Sequence, residues 1–337
     1  MSINFKTSRF AAVLAMAAAL IPLRAVAGEI GKPINAKGFT FINFDAGSGI
    51  SVTAGTGSNA NGISNKGLAV VTLINADGSF TNFTGTPALT TALNLGPNAM
   101  VFGMNAINTI VGTQNGAAFM LAANGSAQPL PTPATATSAF GINDKGQIVG
   151  QYTNAQGQTP GFALVNMKTS AITINAPSGP NTVNAQGINN FGLIVGFYVG
   201  TDGQDHGFIA NLSSAKNGVL TGTPVPDPTI PAVAGEAGAT FVFSQLLGVN
   251  DAGIVVGYYG DSTTSQHGFL YNTNTGKYTF VDDPSEKFSG GVEVTQITGI
   301  SDSGELAGFY SDANGVFHGF TACPPDAFCP NFPHVLQ

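Results

Sequence analysis

The chain has no tryptophan, only two cysteines, and charge on just 9% of its 337 residues. Lys and Arg total 11 against 18 Asp and Glu, so the clustered cations that neutralise phosphates are missing and nucleic acid is not an expected partner. No apolar run reaches the roughly 20 residues a spanning helix needs, so no membrane span is expected. Two cysteines cannot supply a four-ligand zinc site, and no His pair stands at matching spacing. The G-x-S-x-G elbow, the P-loop and the H-E-x-x-H helix are absent as well. No metal or cofactor is therefore expected.

Low charge combined with 43% apolar residues argues against disorder, and 45 glycines argue for many short strands joined by tight turns. Residues 1–27 read as a secretory signal: Lys6 and Arg9, an apolar stretch from Phe10 to Leu23, and the small-residue site Ala25-Val26-Ala27. Cleavage there would remove three cations and no acid, deepening the net charge from −7 to −10, and would place the protein in the periplasm or outside the cell. Export permits oxidation, so Cys323 and Cys329 in CPPDAFC are expected to form a disulfide within a tail spanning 323–337.

A turn signature recurs six times: GISNKG from Gly62, GMNAIN from Gly103, GINDKG from Gly141, GINNFG from Gly187, GVNDAG from Gly248 and GISDSG from Gly299. Asn or Ser opens each turn, and three residues later comes Gly or Asn, the types that tolerate a left-handed backbone. β-Branched residues follow, then in five copies a glycine, then a strand built on Phe119, Phe162, Phe208, Phe269 or Phe320. A fourth segment often ends in Asp-Pro or Ala-Pro, as in KYTFVDDP from Lys277. The first copy reads as shortened by a strand or hairpin after Gly67. GFTFINF from Gly38 matches the fourth segment, which the last unit lacks. Four strands per unit and this offset of the ends predict an all-β fold over residues 28–322: a six-bladed β-propeller of four-stranded blades, its N-terminal strand completing the last blade.

The pattern GIN-x-x-G-x-IVG-x-Y followed by HGF resembles the HAF-repeat family of bacterial extracellular proteins. Here the triplets are His206-Gly207-Phe208, His267-Gly268-Phe269 and His318-Gly319-Phe320, with Gly in the middle, and Thr159-Pro160-Gly161-Phe162 lacks the histidine. The resemblance implies a secreted, propeller-like repeat protein with no common activity, and carries over no catalytic residue.

His206, His267 and His318 are the sharpest binding candidates, because three imidazoles facing the central channel could approach one metal. Their repetition with the unit favours packing between strands. Tyr198, Tyr259 and Tyr310 also recur at one strand position and could ring one side of a disc, though blade-to-blade packing accounts for them more simply. Asp144, Asp251 and Asp302 read as solvated turn residues, and the Asp282-Asp283 pair as a strand ending that could also hold a cation. With every frequent residue type absorbed by the repeat, the expected function is a secreted, monomeric, non-catalytic module binding an extracellular carbohydrate or protein. The alternative is an extracellular hydrolase or lyase, acting on a polysaccharide or small ester in the central depression. The polar residues Asp205, Asp261, Glu236 and Glu293 would support a site if they converged on one face.

Overall fold

A computed structural model describes residues 33–47, 53–123, 125–132, 137–230, 238–286, 292–325, 327, 329 and 331–332. The signal segment 1–27 and Glu236 lie outside them. Apart from one 3-10 turn at Leu212–Ser214, the described residues are all-β. No helix among them is long and apolar enough to cross a membrane.

Each signature folds as a tight turn for the reason its residue types suggest. Gly67, Asn108, Gly146, Gly192, Gly253 and Gly304 all take positive φ, between 62° and 88°, and each donates its N–H to the carbonyl of the Asn or Ser three residues earlier. The opening side chain adds an internal brace. Asn189 Oδ1 accepts from the N–H groups of Phe191 and Leu193, both at 3.0 Å. Its Nδ2 then donates to the carbonyl of Asn250 in the next turn at 3.0 Å. The same link runs from Asn105 to Asn143, Asn143 to Asn189 and Asn250 to Ser301, a buried relay passing from sheet to sheet.

Every signature joins an inner strand to a second strand. The inner strands are Gly57–Ile63, Ala99–Met104, Thr137–Ile142, Val183–Ile188, Phe241–Val249 and Thr295–Ile300. Successive antiparallel strands follow outward; in one sheet, for example, Phe241–Val249, Ile254–Asp261, Gln266–Asn272 and Lys277–Phe280 lie in that order. The first unit is not shortened. It holds four strands, Gly57–Ile63, Ala69–Ile74, Phe80–Thr86 and Leu89–Ala92, because a tight turn at Asn75–Ser79 replaces the longer connection of other copies. At the far end, Phe39–Phe44 pairs antiparallel with Phe317–Cys323, so the beginning of the chain extends the sheet formed by its end. One parallel pair, Phe317 with Gly57, joins this sheet to the first unit.

Two sets of contacts explain the glycines. On the second strand, Gly112, Gly150, Gly196, Gly257 and Gly308 lie directly across from Phe119, Phe162, Phe208, Phe269 and Phe320. At Gly150, Gly196 and Gly308, a Cβ would strike both the ring and a carbonyl of the inner strand. The phenylalanines are buried in the sheet-to-sheet cores, each worth about 1.5–3 kcal/mol of apolar transfer. The signature glycines instead face one another: a Cβ on Gly248 would lie 3.1 Å from the Cα of Gly299, and one on Gly299 would lie 2.9 Å from the Cα of Gly62. The last inner strand thus meets the first at backbone contact.

The expected disulfide Cys323–Cys329 is formed, with Cα atoms 5.9 Å apart. Its loop packs with Ile42 and Phe332. Asn331 Nδ2 donates to the carbonyl of Gly67 at 2.9 Å, fastening the tail to the turn of the first unit.

Candidate functional site

The inner strands surround a cavity of about 770 Å³, within the range of small-molecule sites. All six carry a β-bulge at the same place, just before the signature glycine. A bulge re-aims a side chain. The six bulged residues, Asn61, Phe102, Phe140, Gln186, Leu247 and Thr298, all line the cavity. Phe102 and Phe140 meet edge to face at 5.1 Å and form an apolar patch. Amides dominate the remaining wall, including Asn59, Asn184 and Gln296. The Nε2 of Gln186 and the Oδ1 of Asn59 are buried and have no hydrogen-bond partner among the described residues, so the wall keeps an unused donor and an unused acceptor.

The second residues of five of the six turns, Asn65, Asp144, Asn190, Asp251 and Asp302, also line the cavity. Asp144 Oδ1 accepts from Ala106 N–H at 2.7 Å, Asn190 Oδ1 from Asp144 N–H at 2.9 Å, and Asp251 Oδ1 from Asn190 N–H at 2.8 Å. Asp302 Oδ1 accepts from Asp251 N–H at 2.8 Å, and Asn65 Oδ1 from Asp302 N–H at 2.8 Å. The second unit has Ala106 here and leaves a gap, which Asn65 bridges by donating Nδ2 to Asp144 at 2.8 Å and to Asp302 at 2.7 Å. Asn190 Nδ2 likewise donates to Asp251 at 3.0 Å. Three carboxylates are thereby held around one opening with two amides between them. The aspartates are turn residues, as expected, with Asp144 and Asp302 exposed and Asp251 half-buried; in addition, each is tied by hydrogen bonds to the neighbouring turn. Burial pushes the Asp302 carboxyl above the ordinary carboxylate value, and the nearby Asp251 and Asp144 charges add to the rise against the hydrogen bonds that oppose it.

The histidines lie elsewhere. None lines the cavity, and each is clamped between two acids beside its own sheet. His206 contacts Asp227 at 2.9 Å and Asp202 at 3.1 Å; His267 lies 3.3 Å from Asp282 and 3.8 Å from Asp261; His318 lies 3.0 Å from Asp45 and 3.7 Å from Asp312. Tyr198, Tyr259 and Tyr310 sit directly across from these histidines in the strand register and are buried against their rings. They form no exposed ring on a face, because the pairing turns each tyrosine toward its histidine at centroid distances of 5.9, 5.1 and 5.2 Å. Burial lowers the His318 pKa, but Asp312 and Asp45 outweigh it and hold the imidazole at about 9. Asp205 and Asp261 are buried within strands, and Glu293 packs beside Ser265; none joins the cavity.

Sequence reading missed the six bulged residues. The signal was present: the residue before the constant signature glycine is Asn, Phe, Phe, Gln, Leu and Thr in the six copies.

No family model matches the chain, and no curated protein matches it. Among solved structures it is similar to a gluconolactonase of Xanthomonas campestris, at 11% identity and a TM-score of 0.51, covering 90% of this chain and 93% of that one. A lectin of Burkholderia pseudomallei is 13% identical with a TM-score of 0.42, covering 86% and 93%. A gluconolactonase candidate is 11% identical with a TM-score of 0.49, covering 83% and 93%. The expectation of a non-catalytic module is corrected by the first of these, since the likeness over nine-tenths of the chain is to an enzyme. At such identities the likeness is one of fold, and the fold is an all-β one of the β-propeller kind.

Proposed function

We propose that this chain is an exported hydrolase, acting in its central cavity on a small ester or lactone of a sugar-like, polyhydroxylated acid. The observation that carries the reading is the convergence of Asp144, Asp251 and Asp302 on an amide-lined cavity, with the Asp302 carboxyl raised. A carboxylate raised by burial, with nearby Asp251 and Asp144 charges adding to the rise, is suited to take a proton from water as that water attacks an ester carbonyl. The unused Gln186 donor and Asn59 acceptor suit hydroxyl groups, and the Phe102–Phe140 patch suits the apolar face of a sugar ring. Similarity in fold to a gluconolactonase agrees with a lactone as substrate.

The same reading takes the scaffold as six-bladed, supported by six bulged inner strands and by the Gly299–Gly62 approach. It also takes the chain as a relative of the HAF-repeat proteins, processed after Ala27 and working in the periplasm or medium; the repeat triplets and the signal-like segment support this. A panel of sugar lactones and small carbohydrate esters, followed by pH-stat with wild type and Asp302→Asn, tests the activity. Hydrolysis of no member would refute it.

A further inference from the structure

His267 is distinguished from His206 and His318 by a third acid. All three histidines have an aspartate that follows a fourth strand, Asp227, Asp282 or Asp45, and a second one near the turn, Asp202, Asp261 or Asp312. Among the described residues, a glutamate enters as well only at His267. One ligand-type atom each from His267, Asp282 and Glu286 lie within 4.8 Å of one another.

The two carboxylates are held in place from outside the trio. Gly268 N–H donates to Asp282 Oδ1 at 2.9 Å, and Thr295 Oγ1 donates to Glu286 Oε2 at 2.6 Å. Such second contacts are what orient ligands at metal sites. No lysine or arginine forms an ion pair with Asp282 or Glu286 among the described residues, although Asp261 adds a further acid on the other side of the imidazole. His267 and Asp261 are buried, while the Asp282 side chain keeps 22% of its surface exposed and leaves a path from solvent.

We propose that His267, Asp282 and Glu286 bind a divalent first-row transition cation. A triangle with sides of at most 4.8 Å has its centre within about 2.8 Å of each corner, so small side-chain rotations reach the 2.0–2.2 Å of zinc bonds to imidazole and carboxylate. One imidazole with two carboxylates suits zinc or manganese better than the all-oxygen cages of calcium. The ion would fasten the segment after Lys277–Phe280 to the inner strand Thr295–Ile300 of the next sheet, because Thr295 carries Glu286 on its hydroxyl. The site lies outside the residues lining the central cavity and stands independently of the hydrolase reading.

Zinc chloride titrated by calorimetry into chelator-treated full-length protein tests the site. One zinc per chain is expected, with affinity falling at least tenfold in Glu286→Gln and in Asp282→Asn and holding in His206→Gln. Saturating zinc should raise the wild-type melting temperature by about 5 °C and leave Glu286→Gln unmoved. Equal affinity in wild type and Glu286→Gln, or no zinc binding by wild type, would overturn the proposal. Should the variants fail to fold, zinc-soaked wild-type crystals decide it: anomalous density between the three side chains supports the site, and its absence there refutes it.

Discussion

Asn65 and Asp302 hold each other from both directions across 237 residues: the Asn65 amide donates to Asp302 Oδ2 at 2.7 Å, and the Asp302 backbone N–H returns a bond to Asn65 Oδ1 at 2.8 Å. The first and last turns of the repeat are joined by this pair. It makes the carboxylates lining the cavity part of what closes the molecule. Structure and proposed chemistry therefore depend on the same side chains, and substitutions must be chosen to separate them.

The buried amide relay should be graded by what each substitution leaves behind. Asn189→Ala removes two part-buried acceptor bonds and one buried donor bond, leaving the Asn250 carbonyl without that partner, and should cost about 2–4 kcal/mol. Asn189→Ser keeps a local acceptor, as Ser64 does in its own turn, and loses mainly the bond to Asn250; about 1 kcal/mol is expected. Urea unfolding of both variants measures the difference. Equal losses would mean that the link between turns contributes nothing.

Gly196 has no room for a methyl group between Asn184 O and the Phe208 ring. Gly196→Ala should lose at least about 2 kcal/mol through forced displacement of a packed sheet. Gly125→Ala is the control, since nothing lies closer than 3.6 Å to a Cβ there. Thermal melts that rank the two variants equally would contradict the cross-strand role of the glycine.

His318 predicts a pH dependence whose sign follows from its partners. Its pKa rises from 6.5 to about 9 on folding, so its stabilisation is fully present below pH 6.5 and is lost as pH climbs through about 9. At about 1.4 kcal/mol per pKa unit, the amount is on the order of 3 kcal/mol. Asp45 and Asp312 flank the ring, and the Asp283 charge acts on it as well, so the difference between wild type and His318→Gln isolates the histidine. That difference, measured by chemical unfolding, should shrink between pH 6 and pH 9.5. A constant difference would show that the imidazole is not charged in the folded protein.

Much of the scaffold could be read from residue types alone. A left-handed residue three places after Asn or Ser left only Gly or Asn as choices, and the six turns follow. The N-terminal strand was legible because FINFD repeats the fourth segment, even to Asp45, which meets His318 as Asp282 meets His267. The cavity was less legible. Which side chain faces inward depends on a bulge, and a one-residue change in register flips a strand's faces. The role of Asp144, Asp251 and Asp302 was hidden for another reason: their partners lie one repeat away in sequence, so each turn read singly looks merely solvated. The third acid at His267 comes from Glu286, which has no counterpart at His206 or His318 among the described residues.

The central claim rests on Asp302. Asn is the gentlest replacement there, because it keeps the Oδ1 acceptor for Asp251 N–H and already occupies the equivalent places at Asn65 and Asn190. The decisive measurement is kcat/KM of wild type and Asp302→Asn on the best lactone or ester found, with melting temperatures taken on the same preparations. A fall of about 100-fold or more with the fold retained is the predicted result. Undiminished hydrolysis by Asp302→Asn would contradict the assignment.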